Sequence, residues 1–419
     1  MNQKDTVSTQ DNELTRALLI ALDTGEYDVE DSLDELEELA KSAGAEVVGS
    51  IAQKRNAPDP ATCIGTGRLQ EAKLFVQNQR VDLVIFDREL SGSQVVNIEK
   101  VLECRTIDRT TLILDIFAQR AISAEGRLQV ELAQLKYRLP RLTGHGTELS
   151  RLGGGIGTRG PGETKLESDR RHIRRRLAAL ESQLEEVAKR RDLTRTHRRK
   201  NELATIAIVG YTNVGKSSLL NKLCNSDVLA EDMLFATLDP SARAFTLPNG
   251  RMVIAIDTVG LVRRLPHDLV NAFRSTLEEA VCASLILNVC DISDENADDQ
   301  VKVTTQLLHD IEADTVPTIL VLNKCDKISS LPIAFGPDTC LISAKTGFGL
   351  DTLIARIEEK LPATHTRLTL LFPYSEGTLT AEVRRRGTVF SERYNHEGIV
   401  LDVMLDNRLL NRCASYIKA

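Results

Sequence analysis

The residues best suited to chemistry lie in one stretch, Gly210-Tyr211-Thr212-Asn213-Val214-Gly215-Lys216-Ser217-Ser218. It closes the apolar run Ile206 to Val209 and opens a helix-compatible segment, Ser218 to Cys224. A strand, a glycine-rich turn and a helix N-terminus in that order make a phosphate cradle, because successive backbone N–H groups converge there and the helix dipole favours negative charge. Lys216 is placed to reach the β and γ phosphates of a nucleotide, and the Ser217 hydroxyl to ligand Mg²⁺. The pattern predicts a nucleotide switch or motor.

Downstream residues choose the nucleotide. Asn323-Lys324-Cys325-Asp326 follows the buried-strand run Thr318 to Leu322 and resembles the guanine-recognition motif of P-loop GTPases. That resemblance implies that Asp326 accepts hydrogen bonds from guanine N1 and N2. Adenine would leave the carboxylate unpaired, at a cost on the order of several kcal/mol. Ser343-Ala344-Lys345, after the short strand Cys340 to Ile342, fits the loop whose backbone N–H meets guanine O6 in that family. Asp257-Thr258-Val259-Gly260 closes the strand Met252 to Ile256. There Asp257 is expected to hold Mg²⁺ through water and the Gly260 N–H to sense the γ-phosphate. Thr237, within Leu234-Phe-Ala-Thr-Leu-Asp-Pro240, is the natural switch residue for Mg²⁺ and the γ-phosphate, although a lone Thr also suits a turn or strand.

Two details bear on hydrolysis. Leu261 stands where many GTPases place a Gln that orients the attacking water, and leucine has neither donor nor acceptor. Intrinsic hydrolysis is therefore expected to be slow, with a partner able to add about 10³–10⁵-fold, roughly 4–7 kcal/mol. Asn213 resembles the Asn of GTPases that recruit K⁺ beside the phosphates, while turn geometry by itself also selects asparagine.

The wider composition frames these motifs. A chain of 419 residues with 42% hydrophobic content predicts about three domains with ordinary cores. The start, Met-Asn-Gln-Lys-Asp-Thr-Val-Ser, has no apolar signal region, and the early run Ala17 to Leu22 is too short to span a bilayer. A cytoplasmic monomer without a membrane span is expected, in part associated with a membrane surface. The eight cysteines form no Cys-x-x-Cys pair, which argues against zinc or a disulfide framework and for reduced core thiols.

Charge is unevenly distributed. Residues 165–200 carry 13 Lys and Arg against six acids, in a chain of net charge −7. A basic element on an acidic body points to a localised polyanion contact, the alternative being a solvated helix face. Just before it, residues 143–162 hold eight of the 25 glycines. Leu128, Leu132, Leu135, Leu139 and Leu142 recur at helical spacing on one side of this segment, and Leu166, Ile173, Leu177, Leu180, Leu184 and Val187 on the other. This predicts an antiparallel helical hairpin with an Arg-bearing glycine-rich tip, suited to close approach to RNA.

Gly153-Gly-Gly-Ile-Gly-Thr-Arg-Gly-Pro-Gly-Glu-Thr-Lys-Leu-Glu167, followed by Asp169-Arg170-Arg171, resembles the HflX family of ribosome-associated GTPases. Gly210 to Ser217, Asp257 to Gly260, Ile64-Gly-Thr-Gly-Arg-Leu69 and Leu234 to Pro240 match it too, over roughly residues 14–362. The resemblance implies GTP-dependent binding to the large ribosomal subunit and separation of stalled or idle ribosomes. The tip and its flank then supply candidate ribosomal RNA contacts: Arg151, Gly154, Gly155, Gly157, Arg159, Gly160, Arg170, Arg171, Arg174 and Arg175. Leu261 departs from the family, in which many members carry Phe. A second reading is a regulatory module whose GTP state recruits RNA or a protein, with hydrolysis only a timer.

The expected architecture is α/β in four parts. Residues 1–121 alternate apolar runs and helical stretches as a parallel α/β domain does, from Ala17–Leu22 to a last apolar run, Leu112–Ile116. Residues 122–200 form the hairpin, 201–362 a Ras-like P-loop GTPase domain with a hairpin at Asn249-Gly250, and 363–419 a small α+β tail.

Overall fold

A computed structural model describes residues 14–142, 161–200, 203–224, 234–235, 241–264, 278–328, 336–361 and 365–417. The chain divides into two compact units. The first comprises 1–185 with the short segments 233–235 and 265–272, and the second 186–232, 236–264 and 273–419.

The first unit is built on four parallel strands, β1 (Thr15–Asp23), β2 (Ala45–Lys54), β3 (Leu83–Phe86) and β4 (Arg105–Asp108), in the order β2-β1-β3-β4. Strands covered on both faces must be apolar throughout, and all four residues of β3 are buried. Of the crossover helices α1 (Val29–Ser42), α2 (Thr66–Gln79) and α3 (Gly92–Leu102), the first and third start at side-chain caps. Asp28 accepts from the N–H groups of Glu30 and Asp31, and Ser91 with Gln94 forms a capping box.

One sequence expectation fails here. Leu112–Ile116 belongs not to a strand but to helix α4 (Arg109–Arg120), and the strand lies just before it at Arg105–Asp108. A short apolar run fits a buried strand or a buried helix equally well. The local cap decides, since the Asp108 carboxylate accepts the Thr111 N–H and starts the helix.

Helices α5 (Ala124–Arg141) and α6 (Pro161–Lys200) form the basic arm. Leu132, Leu177 and Leu180 are buried together, with Leu128, Leu135, Leu139, Ile173 and Leu184 packed against them. Arg176 donates twice to Glu131, at 2.6 and 2.7 Å, and Lys136 pairs with Glu181 at 2.9 Å. Glu131 and Arg176 each precede a leucine of this cluster, whereas Lys136 and Glu181 each follow one. Matching flanks face each other only when one helix is reversed, so this pairing is that of an antiparallel hairpin. The tip, residues 143–160, lies outside the described residues.

The second unit contains a six-stranded sheet in the order β10-β9-β8-β5-β7-β6. Its strands are β5 (Ala204–Gly210), β6 (Ser241–Thr246), β7 (Met252–Asp257), β8 (Leu285–Asp291), β9 (Thr318–Asn323) and β10 (Thr339–Leu341). All neighbours are parallel except β6 and β7. The β6–β7 hairpin turns at Asn249-Gly250, where Gly250 has φ +86°. The sequence places successive strands on opposite sides of β5, and that is where an open α/β sheet presents a ligand crevice at its carboxyl ends. Helices α7 (Lys216–Cys224), α8 (Ala297–Asp310) and α9 (Leu350–Lys360) accompany it.

The tail forms a three-stranded antiparallel sheet of β11 (His365–Phe372), β12 (Thr388–Tyr394) and β13 (Ile399–Asp406), in the order β11-β13-β12. With helices α10 (Gly377–Arg386) and α11 (Asn407–Cys413) it encloses its own core of Leu370, Phe372, Val383, Leu401, Val403 and Leu405. No described helix is long and apolar enough to cross a membrane.

Candidate active site

The site begins at the end of β5. Gly210 has φ +152°, and a Cβ there would lie 2.2 Å from the Val289 carbonyl oxygen, so only glycine lets the turn leave between β5 and β8. At Gly215, φ is +92° and a Cβ would lie 2.4 Å from Asn323 Nδ2. Asn213 sits at φ +60°, a conformation asparagine tolerates, so turn geometry accounts for its residue type. Helix α7 then opens at Lys216 with Ser217 and Ser218 in its first turn, the arrangement that aims backbone N–H groups at an anion.

Lys216 is buried, and its ammonium donates to the carbonyls of Gly210 at 3.1 Å and Tyr211 at 2.7 Å. Burial pushes its pKa down to about 8, against the opposing pull of the Asp257 charge. An ammonium held in this way gains most from an anionic ligand. The Ser217 hydroxyl donates to Asp257 Oδ2 at 2.7 Å. A hydroxyl and a buried carboxylate this close supply hard oxygen donors of the kind Mg²⁺ prefers, with phosphate and water oxygens completing an octahedron.

The segment after Asp257 folds along the phosphate loop. Thr258 donates twice to the Ile208 carbonyl, through N–H at 3.2 Å and hydroxyl at 2.8 Å. The Leu261 N–H donates to Gly210 O at 3.2 Å, and the Thr212 N–H returns to Leu261 O at 2.8 Å. The Arg263 N–H donates to the Tyr211 hydroxyl at 2.6 Å. Gly260 is thereby set against Thr212 and Lys216, and Leu261 is buried with an apolar side chain.

The residues expected to recognise the base stand at the ends of β9 and β10. Ser343 donates its hydroxyl to Asp326 Oδ1 at 2.6 Å, and this bond holds the Asp326 carboxyl below its ordinary pKa. The group is thus an anionic acceptor. Asn323 also braces the site: its Nδ2 donates to Val214 O at 2.8 Å and its Oδ1 accepts from the Ala344 N–H at 2.9 Å. It ties the phosphate loop to the Ser343-Ala344-Lys345 loop. Lys324 pairs with Asp291 at 2.7 Å.

The structure therefore brings together Gly210 to Ser218, Asp257, Gly260, Asn323, Lys324, Asp326 and Ser343 to Lys345 within one unit. Thr237 lies outside the described residues, as do Arg151, Gly154, Gly155, Gly157, Arg159 and Gly160. On α6, Arg171, Arg174 and Arg175 are exposed and Arg170 is half-buried. Sequence reasoning passed over Asp291 and the Tyr211 hydroxyl. Asp291 carried a signal, being an acid at the carboxyl end of a buried strand, where α/β sheets gather ligand-site residues.

Three family models match the chain in succession: GTP-binding GTPase N-terminal over residues 30–118, GTP-binding GTPase Middle Region over 120–198, and 50S ribosome-binding GTPase over 205–324. A curated relative, the GTPase HflX of Caldanaerobacter subterraneus subsp. tengcongensis, is 51% identical over 96% of this chain and 94% of its own length. This chain belongs to the HflX family of GTPases. The Escherichia coli K12 GTPase HflX is 42% identical over 90% of each chain. A crystal structure of a GTP-binding protein from Sulfolobus solfataricus in complex with GDP aligns with a TM-score of 0.46 at 25% identity, covering 83% of this chain and 98% of that one. As an HflX GTPase, the chain carries its glutamine-free Asp257-to-Leu261 segment together with the full phosphate loop and an Asp326 held by Ser343.

Proposed function

We propose that this GTPase binds GTP with Gly210 to Ser218 around the phosphates and Asp326 on the base, and uses the cycle to bind the large ribosomal subunit and separate ribosomes into subunits. The observation that carries the nucleotide reading is the alignment of Lys216, the Ser217–Asp257 pair and the Asp326–Ser343 pair at the carboxyl ends of β5, β7 and the β9–β10 edge. Lys216 binds the phosphates, and Ser217 with Asp257 would hold Mg²⁺, which supplies charge neutralisation there. Thr237 is assigned to the same ion and to the γ-phosphate. The K⁺ assignment rests on Asn213 alone, and activity in K⁺ against Na⁺ buffer tests it.

Buried Leu261 orients no water, so the reading requires a partner to complete the hydrolytic site. The description of the matched GTPase model, 50S ribosome-binding, and the exposed arginines of the α6 arm support the large subunit in that role. The location that follows is cytoplasmic. The test is subunit separation by the full chain with a non-hydrolysable GTP analogue, repeated after deletion of residues 143–162. Loss of separation with GTP affinity intact is expected. Separation retained after the deletion rejects the arm, and absence of stimulated turnover with large subunits rejects the ribosomal reading.

A further inference from the structure

The phosphate loop carries a buried hydroxyl that no described residue uses. Thr212 is 5% exposed, and among the described residues its Oγ1 has no hydrogen-bond partner. The neighbouring loop hydroxyl, Ser217, donates to Asp257. A buried hydroxyl without a partner is destabilising, and valine would fill the same volume without that cost. A position chosen for packing alone has no reason to be threonine.

Its surroundings place Thr212 beside the other residues of the phosphate cradle. The Thr212 backbone is fixed by its N–H bond to Leu261 O at 2.8 Å. A Cβ built on Gly260 would lie 2.7 Å from Thr212 Cγ2, 3.0 Å from Thr212 Cα and 3.2 Å from Lys216 Nζ. The Thr212 methyl and Cα, the Gly260 backbone and the Lys216 ammonium thus lie packed side by side. Leu261, next in the chain, offers neither donor nor acceptor. We propose that Thr212 is a catalytic residue whose hydroxyl donates a hydrogen bond to a γ-phosphoryl oxygen of GTP. The proposal rests on the reading of residues 210–218 as the phosphate cradle.

In hydrolysis the water oxygen forms a bond to the γ-phosphorus as the bond from phosphorus to the β,γ-bridging oxygen breaks. The bonding pair leaves with GDP, and the water proton ends on the released phosphate. Thr212 keeps its own proton and stabilises charge on the equatorial oxygens, which are shared by no part of GDP. The interaction is therefore specific to the triphosphate.

Full-length Thr212→Val and Thr212→Ser decide the matter. Valine keeps the methyl contact with Gly260 and removes only the hydroxyl. The expected result is a loss of kcat of about 10–100-fold in Thr212→Val, the size of a hydrogen bond to a charged group, with GDP affinity held within about twofold. Its melting temperature without nucleotide should equal or exceed that of the parent, and Thr212→Ser should recover most of kcat. Wild-type kcat in Thr212→Val overturns the proposal. So does an equal loss of GTP and GDP affinity, which would make Thr212 a determinant of loop shape. Lys216→Ala, measured alongside, separates the two levels: retained GTP affinity there would remove the phosphate cradle itself.

Discussion

Asn323 offers a test in which the structure and the motif predict different outcomes. Read as part of Asn323-Lys324-Cys325-Asp326, it belongs with base recognition. In the structure it is 1% exposed and its amide bridges Val214 O and the Ala344 N–H, two loops distant in sequence. Asn323→Ala leaves both groups behind, and Val214 and Ala344 are themselves buried. An orphaned buried polar group costs about 1–3 kcal/mol, so the pair sets an expected destabilisation of about 2–6 kcal/mol. That is a large part of the 5–15 kcal/mol, roughly, that holds a typical domain together. The same loss frees the loop bearing Ser343, whose hydroxyl fixes Asp326, so GDP affinity should fall by about 10–100-fold, or about 1.4–2.7 kcal/mol. Urea denaturation without nucleotide and titration with GDP and XDP measure the two effects. Asp326→Asn is the control, because its exposed carboxylate should leave stability unchanged while relaxing the preference for guanine over xanthine. If Asn323→Ala keeps its stability within about 0.5 kcal/mol and changes only the GDP-to-XDP ratio, Asn323 contacts the base and the bridging argument is wrong.

The buried ammonium of Lys216 makes binding depend on pH. With its pKa lowered to about 8 in the fold and near 10.4 when unfolded, the unfolded chain binds more protons between those values. Stability should therefore rise with pH across about pH 8 to 10.4, and Lys216→Met should abolish that rise in thermal melts. GDP affinity should move the other way, weakening above about pH 8 as the ammonium loses its charge, with proton uptake on binding seen by calorimetry in buffers of different ionisation enthalpy. In the arm, Leu180 is fully buried, and Leu180→Ala should cost about 3–5 kcal/mol of stability. Removing the exposed Arg176–Glu131 pair should cost under about 1 kcal/mol. A reversed order of these two in denaturant midpoints would show that ion pairs, not leucines, hold the hairpin.

What the sequence determined about this protein was local. The strand, turn and helix start around Gly210 to Ser218 could be read directly, because they are written in adjacent residues and each turn admits few residue types. The hairpin was legible for a related reason, since leucines at helical spacing must be buried against a partner and the nearest similar stripe follows one loop later. Leu112–Ile116 was misread where spacing has no power, in a run short enough for either strand or helix, and a cap at Asp108 settled it. What only the tertiary structure decided were the partners. Strand order sets β9 beside β8 and β8 beside β5, and that brings Asn323 to Val214, 109 residues away. It likewise set Lys324 on Asp291 and placed the Thr212 methyl against Gly260, its hydroxyl buried and without a partner among the described residues. Spacing along the chain announces which groups a site contains. Which of them hold one another, and which remain for the substrate, depends on hydrogen bonds that exist only once the sheet has assembled.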